Sequence, residues 1–221
     1  MFKQIFELFK ADSLYEQALV ECYEMLEIDR EMFNESVKSL RASDTADIPI
    51  DIYAMDKKIN EFERDVRRKV MTHLAVSGNE DLGSGLILVS VVVDIERIGD
   101  YTKNILDLAI FNPKPILAEE VSDSLGLIEE VVLSRFSSTI SALENRDPEK
   151  AQVLLKSYRK DLGRVSDGIV HNIISGDFEI KNNVSPASVV LYARYLKRIG
   201  AHLKNITSVV TNPFEMIGYN S

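Results

Sequence analysis

The chain has a single cysteine, Cys22, three histidines, a deficit of basic residues and no long hydrophobic run. Each shortage excludes something. One cysteine cannot close a disulfide within the chain, so a reducing compartment fits best. The longest apolar run, LILVSVVV at 86–93, falls far short of the roughly 20 residues that span a bilayer. No N-terminal stretch has the basic, apolar and small-residue regions of a signal peptide. A soluble, cytoplasmic protein is therefore expected. His73, His171 and His202 have Val70, Gly168 and Ile199 three residues before them, so none makes the Glu-x-x-His pair of di-iron bundles. There is no GxxxxGK phosphate loop, no nucleophile elbow and no Cys–His arrangement. Nothing here predicts an enzyme. With 26 basic against 35 acidic residues the net charge is −9, which repels phosphate backbones and argues against nucleic acid as a partner. The basic run RDVRRK at 64–69 lies among acids in a helical pattern and reads as a solvated helix face.

The sequence does hold helices, and hydrophobic residues make up 45% of it, enough for a core. Apolar residues recur at three and four positions, while Pro and Gly fall almost wholly between segments. The first helix starts at a capping box, Ser13 with Glu16. Its inner stripe runs through Leu14, Ala18, Cys22, Met25, Ile28 or Asp29, Met32 and Val37, and it breaks at 42–49. A second helix is expected over 50–75, closed by Gly78 and Asn79, which take left-handed backbone angles readily. A third covers 83–111. VSVVV at 89–93 is β-branched, but it lies inside this pattern with no turn after it and reads as buried helix. The pattern then restarts. A fourth helix covers 118–144, a fifth opens at Asp147-Pro148 and closes at SGD (175–177), and a sixth opens at Ser185-Pro186 and closes at NPF (212–214). Long helices with short links pack as antiparallel neighbours, so the expected fold is all-α, two three-helix bundles in tandem. Ahead of the first cap stands MFKQIFELF at 1–9. It folds back on the bundle, or docks on a partner or a second copy.

The third and sixth helices carry the same frame. ERIGDYTKNI at 96–105 and KRIGAHLKNI at 197–206 share Arg, Ile, Gly, Lys, Asn and Ile in register. On a wheel of about 100° per residue, Val91, Ile95, Ile98, Gly99, Thr102 and Ile105 form one stripe facing a core. A glycine within that stripe costs roughly 1 kcal/mol against alanine, and lets a neighbouring helix come close. The repeated RIG is thus packing. Glu96 and Asp100 stack one turn apart at the edge of the stripe, where like charges at i and i+4 repel. They are solvated there, or something positive lies over them: a hard cation, Arg97, or a lysine from a neighbouring helix.

ERIGD followed by an aromatic and then KNI, within a doubled three-helix layout, resembles the PhoU family, bacterial regulators of phosphate uptake and phosphate-starvation signalling. The resemblance covers nearly the whole chain and implies two PhoU-type repeats at 1–112 and 113–221. It implies an adaptor without chemistry of its own, whose partners are phosphate transporter components and a sensor histidine kinase, with a homodimer as a further expectation. It also implies a weakly held divalent or ferric ion (iron, zinc or magnesium) on carboxylate motifs. Glu96 and Asp100 match the motif on the third helix. On the second, DKKIN at 56–60 supplies Asp56, while Asn60 replaces the expected acid with a neutral oxygen. In the second repeat Lys197 and Ala201 replace both acids, Asp161 and Asp167 have no matching acids on the sixth helix, and His202 lies a further ~100° round the helix, so no cluster is expected there. The alternative is a helical protein that stores or senses metal, with no tie to phosphate.

Overall fold

The structure, a computed structural model, describes residues 13–42, 48–77, 81–112, 115–116, 119–181 and 184–219. The apolar stretch at 1–9 and the expected stop at Gly78 and Asn79 lie outside the described residues. Helix α1 (Leu14–Ala42) begins where predicted, with the Glu16 amide donating to Ser13 Oγ at 3.2 Å. Helix α2 (Ile52–Ser77) is started by Asp51, whose Oδ1 accepts from the Ala54 amide at 3.0 Å. It buries only Ile52, Ile59, Val66 and Val70, a narrow strip seven and then four residues apart. Helix α3 (Leu82–Phe111) is the most apolar and buries residues along its length, the β-branched run included.

The second set repeats the plan. Helix α4 (Glu119–Glu144) is followed by α5 (Pro148–Tyr158), where Asp147 Oδ1 accepts from the Lys150 amide at 2.9 Å. The fifth predicted helix is a single rod, but it is not regular throughout: a π turn at Arg159–Gly163 joins α5 to α6 (Arg164–Ser175). A π turn widens the i→i−4 ladder locally, and one turn before it Arg135 of α4 donates Nη1 to the Leu154 carbonyl at 2.9 Å. The rod stops at Gly176, whose φ of 83° is the left-handed conformation glycine adopts at no steric cost. Helix α7 (Pro186–Ser208) opens on Ser185 and proline as expected, although the Ser185 hydroxyl makes no capping bond.

Helices α1, α2 and α3 pack on one another, and α7 packs on α4, α5 and α6. The two triplets meet along α3 against α7 and α1 against α4, and one apolar core runs through both, from Tyr15 to Val209. Phe33 of α1 meets Phe136 of α4 in that core, ring centroids 5.6 Å apart. Among the described residues no helix is long and apolar enough to cross a membrane.

Candidate functional site

The expected stripe of α3 is the buried one: Ile95, Ile98, Thr102 and Ile105 are inaccessible, with Val91 and Gly99 among them. Gly99 is where all three helices of the first triplet close in. A Cβ there would lie 3.2 Å from Ile59 Cδ1 of α2 and 3.0 Å from Asp29 Oδ1 of α1. The second contact brings in a residue that sequence reasoning left undecided. Asp29 is 0% exposed, and neither carboxyl oxygen has a hydrogen-bond partner. Burial first, then the neighbouring charges of Asp56, Glu96 and Asp100, hold its pKa well above the usual carboxylate range. The shift favours the protonated, uncharged form of Asp29. Glu96 is shifted the same way, by burial first and then by Asp100.

Four carboxyl groups thus lie along one seam, Asp29 from α1, Asp56 from α2, and Glu96 and Asp100 from α3. Two cations stand against them. Lys103 Nζ lies 2.9 Å from Asp56 Oδ2 and 3.2 Å from Asp100 Oδ1, bridging the two helices. Burial works against the ammonium, but its bonds to Asp56 and Asp100 outweigh that and raise the Lys103 pKa. Arg97 lies outside, 3.0 Å from Asp100 Oδ2 and 3.6 Å from Glu96 Oε2. Of the expected ligands, Asp56 and Asp100 are drawn together through Lys103, with Glu96 beside them. Asn60 is turned back on its own helix, donating Nδ2 to the Asp56 carbonyl at 3.0 Å.

Does this set suit a metal ion? Its donor chemistry does: hard oxygens, an excess of acids, and a buried carboxyl with two unpartnered oxygens in their neighbourhood. The side chains do not yet converge, since among the described residues no three His, Cys, Asp or Glu groups stand ready to grip one ion.

The second triplet has the same seam and the opposite filling. A Cβ on Gly200 would land on Leu162 Cδ2 and lie 3.5 Å from Tyr158 Cε2. Lys197, in the register of Glu96, holds both oxygens of Asp167 at 2.6 and 2.7 Å. Arg135, 4% exposed, donates to Leu154 and to Ser157 Oγ and lies over the Tyr158 ring. His202 joins the triplets: its Nδ1 is 2.6 Å from Asp94 Oδ1, and the ring stacks on Tyr101.

Fold and seam together describe a doubled three-helix bundle with an acidic site in its first half. The family model described as the PhoU domain matches residues 22–109. A phosphate-specific transport system accessory protein PhoU homolog of Pseudomonas putida is 26% identical over 185 residues, covering 80% of this chain and 70% of that one. A second homolog of the same description, from Clostridium acetobutylicum, is 24% identical over 204 residues, covering 90% of this chain and 85% of its own. The crystal structure of PhoU from Pseudomonas aeruginosa matches the fold with a TM-score of 0.78 at 20% identity, over 89% of this chain and 95% of that one. The chain thus carries a match to the PhoU domain in its first half, is similar over most of its length to PhoU homologs, and shares the PhoU fold.

Proposed function

We propose that this protein is a non-enzymatic, cytoplasmic regulator of phosphate transport and phosphate-starvation signalling, an adaptor between a phosphate transporter and a sensor histidine kinase. The observation that carries this reading is the doubled PhoU-type bundle, together with relatives described as accessory proteins of phosphate-specific transport. The geometry agrees with a protein that works by binding. His73 is engaged by Asp81 and His202 by Asp94, which leaves those two side chains tied into helix packing. Deleting the gene should leave a phosphate-repressed promoter active at high phosphate, and restoring it should silence that promoter. A reporter indifferent to the deletion overturns the reading.

One observation favours a metal role beside this one, the unpartnered Asp29 carboxyl among three other acids. We propose that Asp56, Asn60, Glu96 and Asp100, with Asp29 behind them, hold a divalent or ferric ion, which would neutralise charge and tie α1, α2 and α3 together. Protein purified without chelator should carry metal that a Glu96→Ala, Asp100→Ala variant lacks. Equal metal in both removes the proposal. If that variant still restores phosphate repression, the adaptor role does not need the ion; if the native protein holds metal and its deletion leaves phosphate repression intact, storage or sensing is the better description.

A further inference from the structure

We infer that Lys103 is a built-in competitor for the cation site, an ammonium that holds the acids of the first triplet together and must leave before a metal ion can enter. The inference rests on the metal reading above and concerns how that site is regulated.

Lys103 Nζ bonds one oxygen of Asp56 and one of Asp100, the two acids that face each other across α2 and α3. An ion drawing on the same two carboxylates would need those oxygens, and two cations on shared ligands repel. The acids are arranged around more charge than Lys103 supplies. Asp29 stays unpartnered beneath it, and Arg97 reaches only the outer oxygen of Asp100 and the flank of Glu96. Lysine suits a removable occupant. Its charge is compact and strongly hydrated and sits at the end of a flexible stem, and this side chain is already 25% exposed.

The second triplet shows the other outcome of the same device. There Lys197 takes both oxygens of Asp167, and Ala201 leaves no second acid on α7 to hold an ion in its place. Lys197 plugs its half; Lys103 gates the other. Both lysines lie in the repeated motif segments, but at different positions: Lys197 in the Glu96 register, Lys103 one turn beyond Asp100.

Mn²⁺ titration by calorimetry and electron paramagnetic resonance tests this, on the native protein and on Lys103→Met, with Lys103→Arg keeping the charge and Glu96→Ala removing a ligand. The expected result is at least tenfold tighter Mn²⁺ binding by Lys103→Met, no gain for Lys103→Arg, and loss in Glu96→Ala. Native binding with no gain in Lys103→Met overturns the gate and leaves the metal site standing. No binding by any of the proteins overturns both. A second measurement needs no variant. Mn²⁺ should raise the rate at which an amine-reactive acetylating reagent labels Lys103 in the native protein, read by mass spectrometry, several-fold above its effect on Lys38 on the surface of α1. Labelling of Lys103 that Mn²⁺ does not change overturns the gate even if the variants fail to fold.

Discussion

The two triplets bury the same glycine seam and fill it with opposite charge. In the first, a buried acid with no hydrogen-bond partner lies against Gly99, beside three more carboxyl groups. In the second, Arg135 is nearly as buried, but two of its nitrogens are bonded and its plane lies over the Tyr158 ring, which itself borders Gly200. Close approach of helices at a glycine is a steric requirement, indifferent to the charge of the groups around it. The ionic residues are free to differ as function demands. That is why a packing motif can appear twice and its acids once.

The buried polar side chains of the two halves, Asp29 and Arg135, should respond to removal with opposite sign. Arg135→Leu removes the buried guanidinium's bonds to the Leu154 carbonyl and Ser157 Oγ and should cost about 3 kcal/mol of unfolding free energy, measured by urea denaturation. Asp29→Leu, measured in EDTA, should instead stabilise by about 2 kcal/mol, because it removes a buried polar group with no compensating bond. The pH dependence follows from the raised Asp29 pKa. The folded state keeps this proton to a higher pH than the unfolded chain does, so the contribution of Asp29 to stability is full below about pH 4 and is lost as pH rises through the raised value. Asp29→Asn should flatten that slope. An Asp29→Leu protein less stable than native would mean that the acid has a bonding partner in solution.

How much of this was legible in advance depends on whether a feature is local. Caps at Ser13 and Asp147, and the left-handed glycine at 176, are set by neighbours in the chain and could be read directly. The α3 stripe could be read because 3.6-residue periodicity fixes which side chains share a face. Asp29 was legible only as one of two choices for a stripe position, since periodicity cannot tell a buried acid from its apolar neighbour Ile28 facing less deeply. Its partners came from other helices. The acids were expected to be solvated, or to lie under a hard cation, Arg97 or a lysine from a neighbouring helix; the structure gives Arg97 at the rim and Lys103 from α3 itself, three residues after Asp100. The π turn left no trace in the periodicity, and neither did the reach of Arg135 from α4 to the Leu154 carbonyl before it.

The glycines rank next. Gly200→Ala puts a methyl on Leu162 Cδ2 inside a fully buried contact, and Leu162 must change rotamer against Tyr158. The helix propensity gained, roughly 1 kcal/mol, offsets only part of that, and a net loss of about 1–2 kcal/mol is expected. Gly99→Ala meets Ile59 Cδ1 at 3.2 Å and the Asp29 carboxyl at 3.0 Å, contacts that yield with small shifts, so its loss should be under 1 kcal/mol. Equal losses at the two sites would mean that the seams are equally tight.

The smallest effect belongs to Lys197. Its pair with Asp167 has two short bonds, yet the Asp167 side chain is 55% exposed and Arg194 offers the same carboxylate a second cation at 3.2 Å. Exposed pairs of this kind contribute about 0–1 kcal/mol, because water already solvates the acid and two long side chains lose freedom in pairing. Lys197→Met should therefore lower stability by less than 1 kcal/mol in urea denaturation. It should also leave Mn²⁺ binding unchanged in calorimetry, since α7 carries alanine at 201 where α3 carries Asp100. A loss above 2 kcal/mol would make the ion pair part of the architecture of the second half, and a new Mn²⁺ site would mean that Asp167 alone, freed of its lysine, is enough to recruit an ion.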